Sequence, residues 1–456
     1  MARTSHHIAF LLLAIFAVLV WQGCGPEPGP QPNLSADEQL ERAIDAHGIE
    51  PIAEPPAQDP ARVELGRALF FDRELSGNRD TSCASCHHPR EMTGDDIPLS
   101  VGTGARIDGE VRHLGEGREF TARNSSDVFN RGVSDWTSMF WDKRVRLGRD
   151  GQMITPAGSR LPDGLDNLLA AQAMFPVAER DEMRGEPWDQ DIFGEPNELG
   201  EIVDGLFNKI WAKLIDRLLA FDGYEELFAE AYPGVAPDDL TFVHAANALA
   251  AFQIAEFSFT ESAWDRYVAG EEDALDEQQK RGGALFFGEA GCADCHGGTL
   301  FTDQKAYNLA VPQFGPGAYP DEPYDRGFGR VSNNPAYDFA FRTPTLRNVA
   351  LTPPYMHNGA FETLEQTIRH HLAAADGLRD YDAGHLPDEV RELLLDDPDA
   401  RARILETLDP WAKDAPELSD AQIDDLVAFM EALTSEGADD CEDVVPESVP
   451  SGLPVD

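Results

Sequence analysis

One short pattern occurs twice in the 456 residues, and it constrains the fold more than any other feature of the chain. Gly66-Arg67-Ala68-Leu69-Phe70-Phe71 precedes Cys83-Ala84-Ser85-Cys86-His87. Arg281-Gly282-Gly283-Ala284-Leu285-Phe286-Phe287 precedes Cys292-Ala293-Asp294-Cys295-His296. Each copy is an apolar helix running into Cys-x-x-Cys-His, so the repeat implies two related domains in tandem. Cys-x-x-Cys-His is the attachment signature of c-type haem. Two thiols one helical turn apart reach the same porphyrin edge, and the adjacent imidazole is aimed at the iron. A zinc site would need further Cys or His at ligand spacing near each motif, and a redox dithiol gives the His no role. The sequence therefore points to two covalent haems, held by Cys83 and Cys86 and by Cys292 and Cys295, with His87 and His296 as proximal ligands.

The rest of the chain organises around that pair. Residues 1–23 read as a signal peptide, with a basic start and an apolar run from Ile8 to Trp21. Gly23-Cys24-Gly25 resembles a lipoprotein cleavage site, so Cys24 is either a lipid anchor or a spare thiol beside an ordinary cleavage point. No later segment is long and apolar enough to span a bilayer. Residues 24–59 are Pro-rich and read as a tether, with a short helix over Ser35–His47 as its one element. Domains are expected over 60–265 and 266–436. Leu240 to Phe259 has the broad apolar face of a buried helix, and Ile210 to Leu219 has helical spacing. Ser419-Asp420-Ala421-Gln422 is a capping box opening a helix with Ile423, Leu426, Val427, Met430 and Leu433 on one face. Thr299 to Pro354 is rich in Gly, Pro and Asn and is expected to be mostly loop. Residues 437–456 form an acidic tail that composition assigns to disorder, where Cys441 is free or pairs with an unlipidated Cys24. The expected fold is mainly α, two tandem cytochrome c-like haem domains with long loops and little β. Thirty-six Lys and Arg against 83 Asp and Glu give a formal charge of −47. Such a surface repels nucleic acid and anionic membrane and attracts basic partners, if it does more than confer solubility.

Further segments extend the pattern: Arg123-Asn124-Ser125, Phe140-Trp141-Asp142, Ala171-Gln172-Ala173, Phe341-Arg342-Thr343-Pro344-Thr345-Leu346-Arg347-Asn348-Val349, Pro354-Tyr355-Met356-His357-Asn358-Gly359 and Thr363-Leu364-Glu365. With the two haem motifs, these make the chain resemble, from about Glu64 to Leu433, the bacterial dihaem cytochrome c peroxidase family, which includes the methylamine-dehydrogenase maturation enzyme. The resemblance implies a peroxidatic N-terminal haem and a C-terminal haem that takes electrons from a donor. By position it implies Glu182 as the distal acid–base carboxylate, within a segment (Pro176-Val177, Glu182-Met183) that aligns without gaps. Such a carboxylate can take a proton from one peroxide oxygen and deliver it to the other. It implies Gln172 as a polar partner on the same side and Trp141 as an indole between the haems. Asn124, Thr352 and Pro354 match the ligands of a structural calcium, the last two through carbonyl oxygens. Read without the resemblance, Glu182 belongs to an acidic run of surface type, and Trp141 to a core.

Two departures from the family pattern matter. Typical peroxidases of the family carry a distal His that occupies the peroxidatic iron until reduction, and Thr103 stands at that position here. Haem 1 is then open at rest, as in the maturation enzyme, unless His113 in the following loop substitutes. The distal ligand of haem 2, Met in the peroxidases and Tyr in the maturation enzyme, falls on His371, with His370 and Met356 as alternatives. A bis-His haem has a lower potential than a His/Met haem. The resemblance thus implies a peroxidase reducing hydrogen peroxide to water, with electrons from a small cytochrome c or cupredoxin by way of haem 2. The alternative is a dihaem oxidase that modifies Tyr or Trp of a partner protein through a high-valent dihaem state. A plain electron carrier has no use for Glu182 and Gln172. The family pattern also leaves room for a homodimer, and the signal peptide implies export to the periplasm.

Overall fold

The computed structural model describes residues 34–108, 111–133, 135–318 and 322–455. The expected signal peptide and Cys24 lie outside the described residues. The chain divides into Met1–Ser35 and a unit Ala36–Asp456 that contains both haem motifs.

The two copies of the repeat build the same joint. Helix Pro60–Phe71 starts on an Asp59 cap, whose carboxylate accepts the Ala61 N–H at 2.9 Å, with Pro60 at the first turn. It crosses helix Phe242–Glu256 so closely that a Cβ on Gly66 would lie 2.0 Å from the Ala248 carbonyl oxygen and 2.7 Å from Phe252 Cβ. Helix Glu277–Phe287, opened by a capping box of Asp276 and Gln279, crosses helix Asp420–Glu431 in the same way. There a Cβ on Gly282 would lie 1.9 Å from the Asp425 carbonyl oxygen and 2.8 Å from Phe429 Cβ. Gly66 and Gly282 occupy the same place in the repeat. Four residues on, Phe70 meets Phe252 at 5.2 Å between ring centroids and Phe286 meets Phe429 at 5.3 Å. Glycine lets the backbones touch, and the aromatic pair seals the crossing.

Each crossing seeds its own core. The N-terminal core gathers Leu65, Phe70, Phe71, Phe129, Phe175, Trp211 and much of helix Phe242–Glu256. The C-terminal core gathers Trp264, Phe286, Phe301, Ile423, Leu426 and Phe429. A third cluster joins the halves, bringing Leu99, Val101 and Phe120 against Val311, Phe314 and Phe361. Charge joins them as well. Arg123 pairs with Asp142 at 2.7 Å and with Asp325 at 2.6 Å, all three largely buried. Strands are short: Arg106–Asp108 with Val111–His113, Ser138–Met139 with Val145–Leu147 and Met153–Ile154, and Ala306–Tyr307 with Phe341–Arg342, all antiparallel. The fold is mainly helical, as expected. No described helix is long and apolar enough to cross a membrane.

Two expectations fail. The described part of the tether is not a free linker. Helix Ala36–His47 packs on helix Glu277–Phe287, burying Leu40 completely. Gly283 makes the room, because a Cβ there would sit 3.0 Å from Leu40 Cδ1. Asp37 then binds Lys280 at 2.7 Å and the Tyr267 hydroxyl at 2.9 Å. The acidic tail is likewise ordered against the N-terminal half. Ala438, Cys441, Val444 and Val449 join that core, and the Ser451 hydroxyl donates to buried Asp72 at 2.7 Å. Composition averaged over many acids hid a few apolar residues that have somewhere to go.

Gly66→Ala and Gly282→Ala are therefore expected to destabilise the chain by about 3 kcal/mol or more each, since the new methyl meets backbone that cannot yield. Alanine at Gly270, where nothing lies within 4 Å, adds no such clash and serves as the control, whatever its φ of +101° costs. Denaturant midpoints of the three variants decide the point.

Candidate active site

The two Cys-x-x-Cys-His segments fold into matching turns. Cys86 N–H and His87 N–H both donate to the Cys83 carbonyl, at 3.2 and 2.9 Å. Cys295 and His296 repeat this on Cys292, at 3.3 and 2.8 Å. Each turn presents two sulfurs and an imidazole to one cavity. His87 Nδ1 lies 3.2 Å from the Thr93 carbonyl, and His296 Nδ1 lies 3.1 Å from the Phe301 carbonyl. A carbonyl can only accept, so Nδ1 carries the proton in both rings and Nε2 keeps its lone pair. Burial depresses both imidazoles, that of His296 to about 4, with a contribution from nearby His371. A neutral ring with a fixed tautomer is what a metal ligand needs.

The N-terminal cavity, about 280 Å³, is lined by Cys83, Cys86, His87, Asn124, Trp141, Gln172 and Glu182 among others. Gln172 comes from helix Leu168–Ala173, and Glu182 from a single π-helical turn, Arg180–Arg184. Such wide turns recur at functional sites because they redirect one side chain. Burial pushes the Glu182 carboxyl up to about 7, against the pull of Arg144 and with a push from Glu179. Arg144 Nη2 is 3.6 Å from Glu182 Oε1, and its guanidinium lies 3.5 Å from the Phe140 ring centroid. Burial alone would raise Asp142, yet Arg123 and Arg144 hold it down at about 2. A buried carboxylate is thus kept ionised while a half-buried one, on the same arginine, is poised to exchange a proton.

Among the described residues that line this cavity, His87 is the one histidine. Thr103 is turned away from it. Its hydroxyl donates to Asp80 Oδ1 at 2.7 Å and its N–H to the Glu182 carbonyl at 2.9 Å. Arg112 pins the same loop through the Val101 and Gly102 carbonyls. Gly102 leaves only 2.0 Å between a Cβ and the Asp181 carbonyl oxygen, so the loop lies flat on the Glu182 turn. His113 ends the short strand Val111–His113 and lines neither haem cavity.

The C-terminal cavity, about 160 Å³, is walled by Cys292, Cys295, His296, Met356, His357 and His371 within mostly apolar surroundings. His371, on helix Leu364–Leu372, sets its Nδ1 2.8 Å from the Thr367 carbonyl, which frees Nε2. His370 faces the other way. Its Nε2 lies 2.8 Å from the Leu309 carbonyl, and it lines neither haem cavity. His357 is buried and stacked on Phe341 at 3.4 Å between centroids. Trp141 and Arg342 line both cavities. The Trp141 indole N–H donates to the Asn124 carbonyl at 3.1 Å, and the Arg342 N–H to the Trp141 carbonyl at 2.7 Å. The Asn124 N–H donates in turn to the His357 carbonyl at 2.9 Å, and its side-chain amide to the Ile97 carbonyl at 3.0 Å. Thr352 and Pro354 lie outside both cavities in the turn that follows Val349–Leu351, and Pro354 and Pro98 both approach Gly359. No cluster of three or more His, Cys, Asp or Glu with metal-site geometry occurs among the described residues.

The residues fit two c-type haems. Sequence reasoning missed Arg342, which is 3 % exposed, has no carboxylate within ion-pair distance among the described residues and is depressed to about 9 by burial and by Arg131. An uncompensated buried guanidinium is costly, and a haem propionate at either cavity would neutralise it. The signal was an arginine standing inside the apolar run Phe339 to Leu346.

The family model for di-haem cytochrome c peroxidase matches residues 60–273. Relatives include the methylamine utilization protein MauG of Methylorubrum extorquens, 29 % identical over 83 % of this chain and 80 % of that protein. They also include the cytochrome c551 peroxidase of Pseudomonas aeruginosa, 28 % identical over 67 % of this chain and 70 % of that protein. A solved MauG-like protein associated with microbial copper homeostasis aligns with a TM-score of 0.55 at 25 % identity, covering 85 % of this chain and 94 % of that one. The diheme peroxidase BthA of Burkholderia thailandensis shares the fold, with a TM-score of 0.56 at 23 % identity over 88 % of this chain and 91 % of that one. Over residues 60–273 the chain matches the di-haem cytochrome c peroxidase model, and like the relatives it resembles it is an oxidoreductase.

Proposed function

We propose that this chain reduces hydrogen peroxide to water with electrons from a small redox protein that enter at the C-terminal haem. The observation that carries the reading is the N-terminal cavity, where Glu182 and Gln172 share a wall with a single histidine. A pure electron carrier keeps both axial positions filled and has no need of a proton-exchanging carboxylate. When bound, the haems supply the redox chemistry, so that peroxide, two electrons and two protons become two waters. The Glu182 carboxylate takes the proton from one peroxide oxygen and returns it to the other, which makes that oxygen a water-like leaving group. Gln172 offers an amide to the same oxygens. Asp142, Arg144 and Arg123 keep the charge around Glu182 fixed while its own proton moves. Trp141, on the wall of both cavities, is the side chain through which electrons pass. His371 would hold the iron of the C-terminal haem together with His296, and Thr103, bonded to Asp80, would leave the N-terminal haem with His87 alone. Asn124, Thr352 and Pro354 would hold a structural calcium ion through oxygen atoms. Residues 1–23 direct export to the periplasm, and Cys24 is the site of a lipid anchor.

A second reading, an oxidase acting on Tyr or Trp of a partner protein, is favoured by the same open cavity combined with an imidazole rather than a thioether opposite His296. Steady-state turnover of peroxide with a reduced cytochrome c separates the two. Turnover supports the first reading, and its absence together with a long-lived oxidised dihaem species supports the second.

Glu182→Gln is expected to lower kcat/KM for peroxide by about 10²–10⁴-fold while two haems per chain remain bound. Because burial raises the Glu182 carboxyl to about 7, the carboxylate form prevails only above that pH. In the native chain kcat/KM therefore falls as pH drops through about 7, and this limb disappears in Glu182→Gln. A native profile flat from pH 6 to 8 contradicts the assignment. His371→Ala is expected to turn the low-spin signal of the C-terminal haem high-spin in the ferric magnetic resonance spectrum, whereas His370→Ala leaves it low-spin. The reverse result would move the ligand to His370.

A further inference from the structure

The segment from Glu186 to Asp204 follows directly on the turn that carries Glu182 and contributes little to the core. It holds the three most exposed large apolar side chains among the described residues: Trp188 at 87 %, Val203 at 69 % and Phe193 at 66 %. Ile192, at 51 %, stands beside Phe193. Scattered exposed apolar residues are ordinary, but four in one segment mark a contact surface.

The segment is also stiff. Its two halves are stitched by Asp191 N–H to the Glu195 carbonyl and Asn197 N–H to the Asp189 carbonyl, both 2.8 Å. The Trp188 N–H donates to Glu201 Oε1 at 3.0 Å, which brings the Trp188 and Val203 limbs together. Asp191 Oδ1 accepts N–H bonds from Phe193 and Glu195 at 2.9 Å each, fixing the tip. Beneath, Asp191 pairs with Arg79, and Asp189 with Arg118 at 2.8 Å. Asn197 is fully buried and donates to Asn78 Oδ1 and to the Arg184 carbonyl, at 2.9 and 2.8 Å. A buried polar framework therefore holds large apolar side chains out in water, where they gain nothing within this chain. Rigid aromatic anchors of this kind bind at low entropic cost.

The rim is acidic. Glu186, Glu195, Glu201 and Asp204 are exposed in the same segment; Glu186 and Asp204 pair with arginines at its base, and Glu195 and Glu201 supply the outward charge. The adjacent cations face inward: Arg184 is buried, and Arg180 and Arg184 both pair with Asp204. With a formal charge of −47 on the whole chain, a second copy would bring acid against acid. A partner with an apolar contact face ringed by lysine or arginine meets both features.

We propose that Glu186–Asp204 is a docking surface for a small basic protein, which seats its apolar face on Trp188 and Phe193 beside the carboxylates of Glu195 and Glu201. Docking here puts the partner against the half that holds Glu182.

The test uses the haem-loaded full chain. The probe is a basic monohaem cytochrome c with lysines around its exposed haem edge, titrated in a calorimeter at low ionic strength. Saturable binding is expected, weakening as salt is added and at least tenfold weaker in the double variant Trp188→Ala, Phe193→Ala. Glu195→Lys weakens it as well. Thermal melting and peroxide turnover with a small-molecule donor stay unchanged in all variants, because these side chains touch neither core nor cavity. Absence of binding, or equal binding by the native chain and the double variant, overturns the proposal. So does sedimentation in which the native chain self-associates and the double variant does not, since a second copy then occupies the patch. Failure of the native chain to turn over peroxide with the small-molecule donor counts against the peroxidase reading alone and leaves the binding result standing.

Discussion

The close crossing of two helices over a glycine, made once at Gly66 and again at Gly282, is the contact on which the rest of the structure rests. With 2.0 Å or less between a would-be Cβ and the facing carbonyl, neither site tolerates a side chain. The crossing fixes the end of each leading helix, Phe71 in one half and Phe287 in the other. Each Cys-x-x-Cys-His turn follows within a short stretch, so the helix end sets where its sulfurs and imidazole stand. The second helix of each pair supplies cavity wall: Leu249 and Gln253 in the N-terminal half, Leu426 and Met430 in the C-terminal half. Seat and lid of each haem cavity thus come from one joint. The aromatic pairs above each glycine bury large area at little conformational cost.

Buried charge adds to the apolar cluster that joins the two halves. Exposed ion pairs contribute about 0–1 kcal/mol, but removing one partner of a buried pair costs about 3–5 kcal/mol, because the other charge is left without compensation. Arg123 with Asp142 and Asp325 belongs to the second kind, since all three are nearly inaccessible. The same Asp142 stands 3.4 Å from Arg144, which faces Glu182. The contact that joins the halves therefore also sets the field at the proton-exchanging carboxylate. Trp141, next in sequence to Asp142, lies on the wall between the cavities. The ion pairs that join the halves and the wall shared by the two cavities are concentrated in Phe140–Arg144.

The legible parts of the fold were those written in local pattern. The doubled helix and Cys-x-x-Cys-His, the capping box at Ser419 and the buried face of Ile423, Leu426 and Met430 all reflect spacing over a few residues, which any helix must obey. What misled was composition. Asp and Glu between Leu40 and Ile49, and again around Val444 and Val449, dilute the apolar signal, yet each apolar residue has a receptor elsewhere in the chain. Leu40 needs the bare backbone of Gly283, and Ser451 needs Asp72, which the Tyr224 hydroxyl already holds at 2.7 Å. Such long-range complementarity leaves no local trace. Local pattern assigns Arg342 no task, because only the fold reveals that it is buried with no carboxylate beside it among the described residues.

The two cavities share an ancestry of parts but not a chemistry, and the difference comes from what lies opposite each proximal imidazole. In the C-terminal half a helix runs past the cavity, and successive histidines on it point to opposite sides, so His371 enters while His370 is held by the Leu309 carbonyl. In the N-terminal half the facing element is a flat loop clamped by Arg112 and Asp80 onto the backbone of the Glu182 turn. A clamped loop without a ligating side chain leaves space, and the π-helical turn fills one side of that space with a carboxyl group whose proton is loosely held. A histidine on the far helix of one cavity and a carboxyl group on the wall of the other are therefore what set the two sites apart, although the turns that carry Cys-x-x-Cys-His are alike.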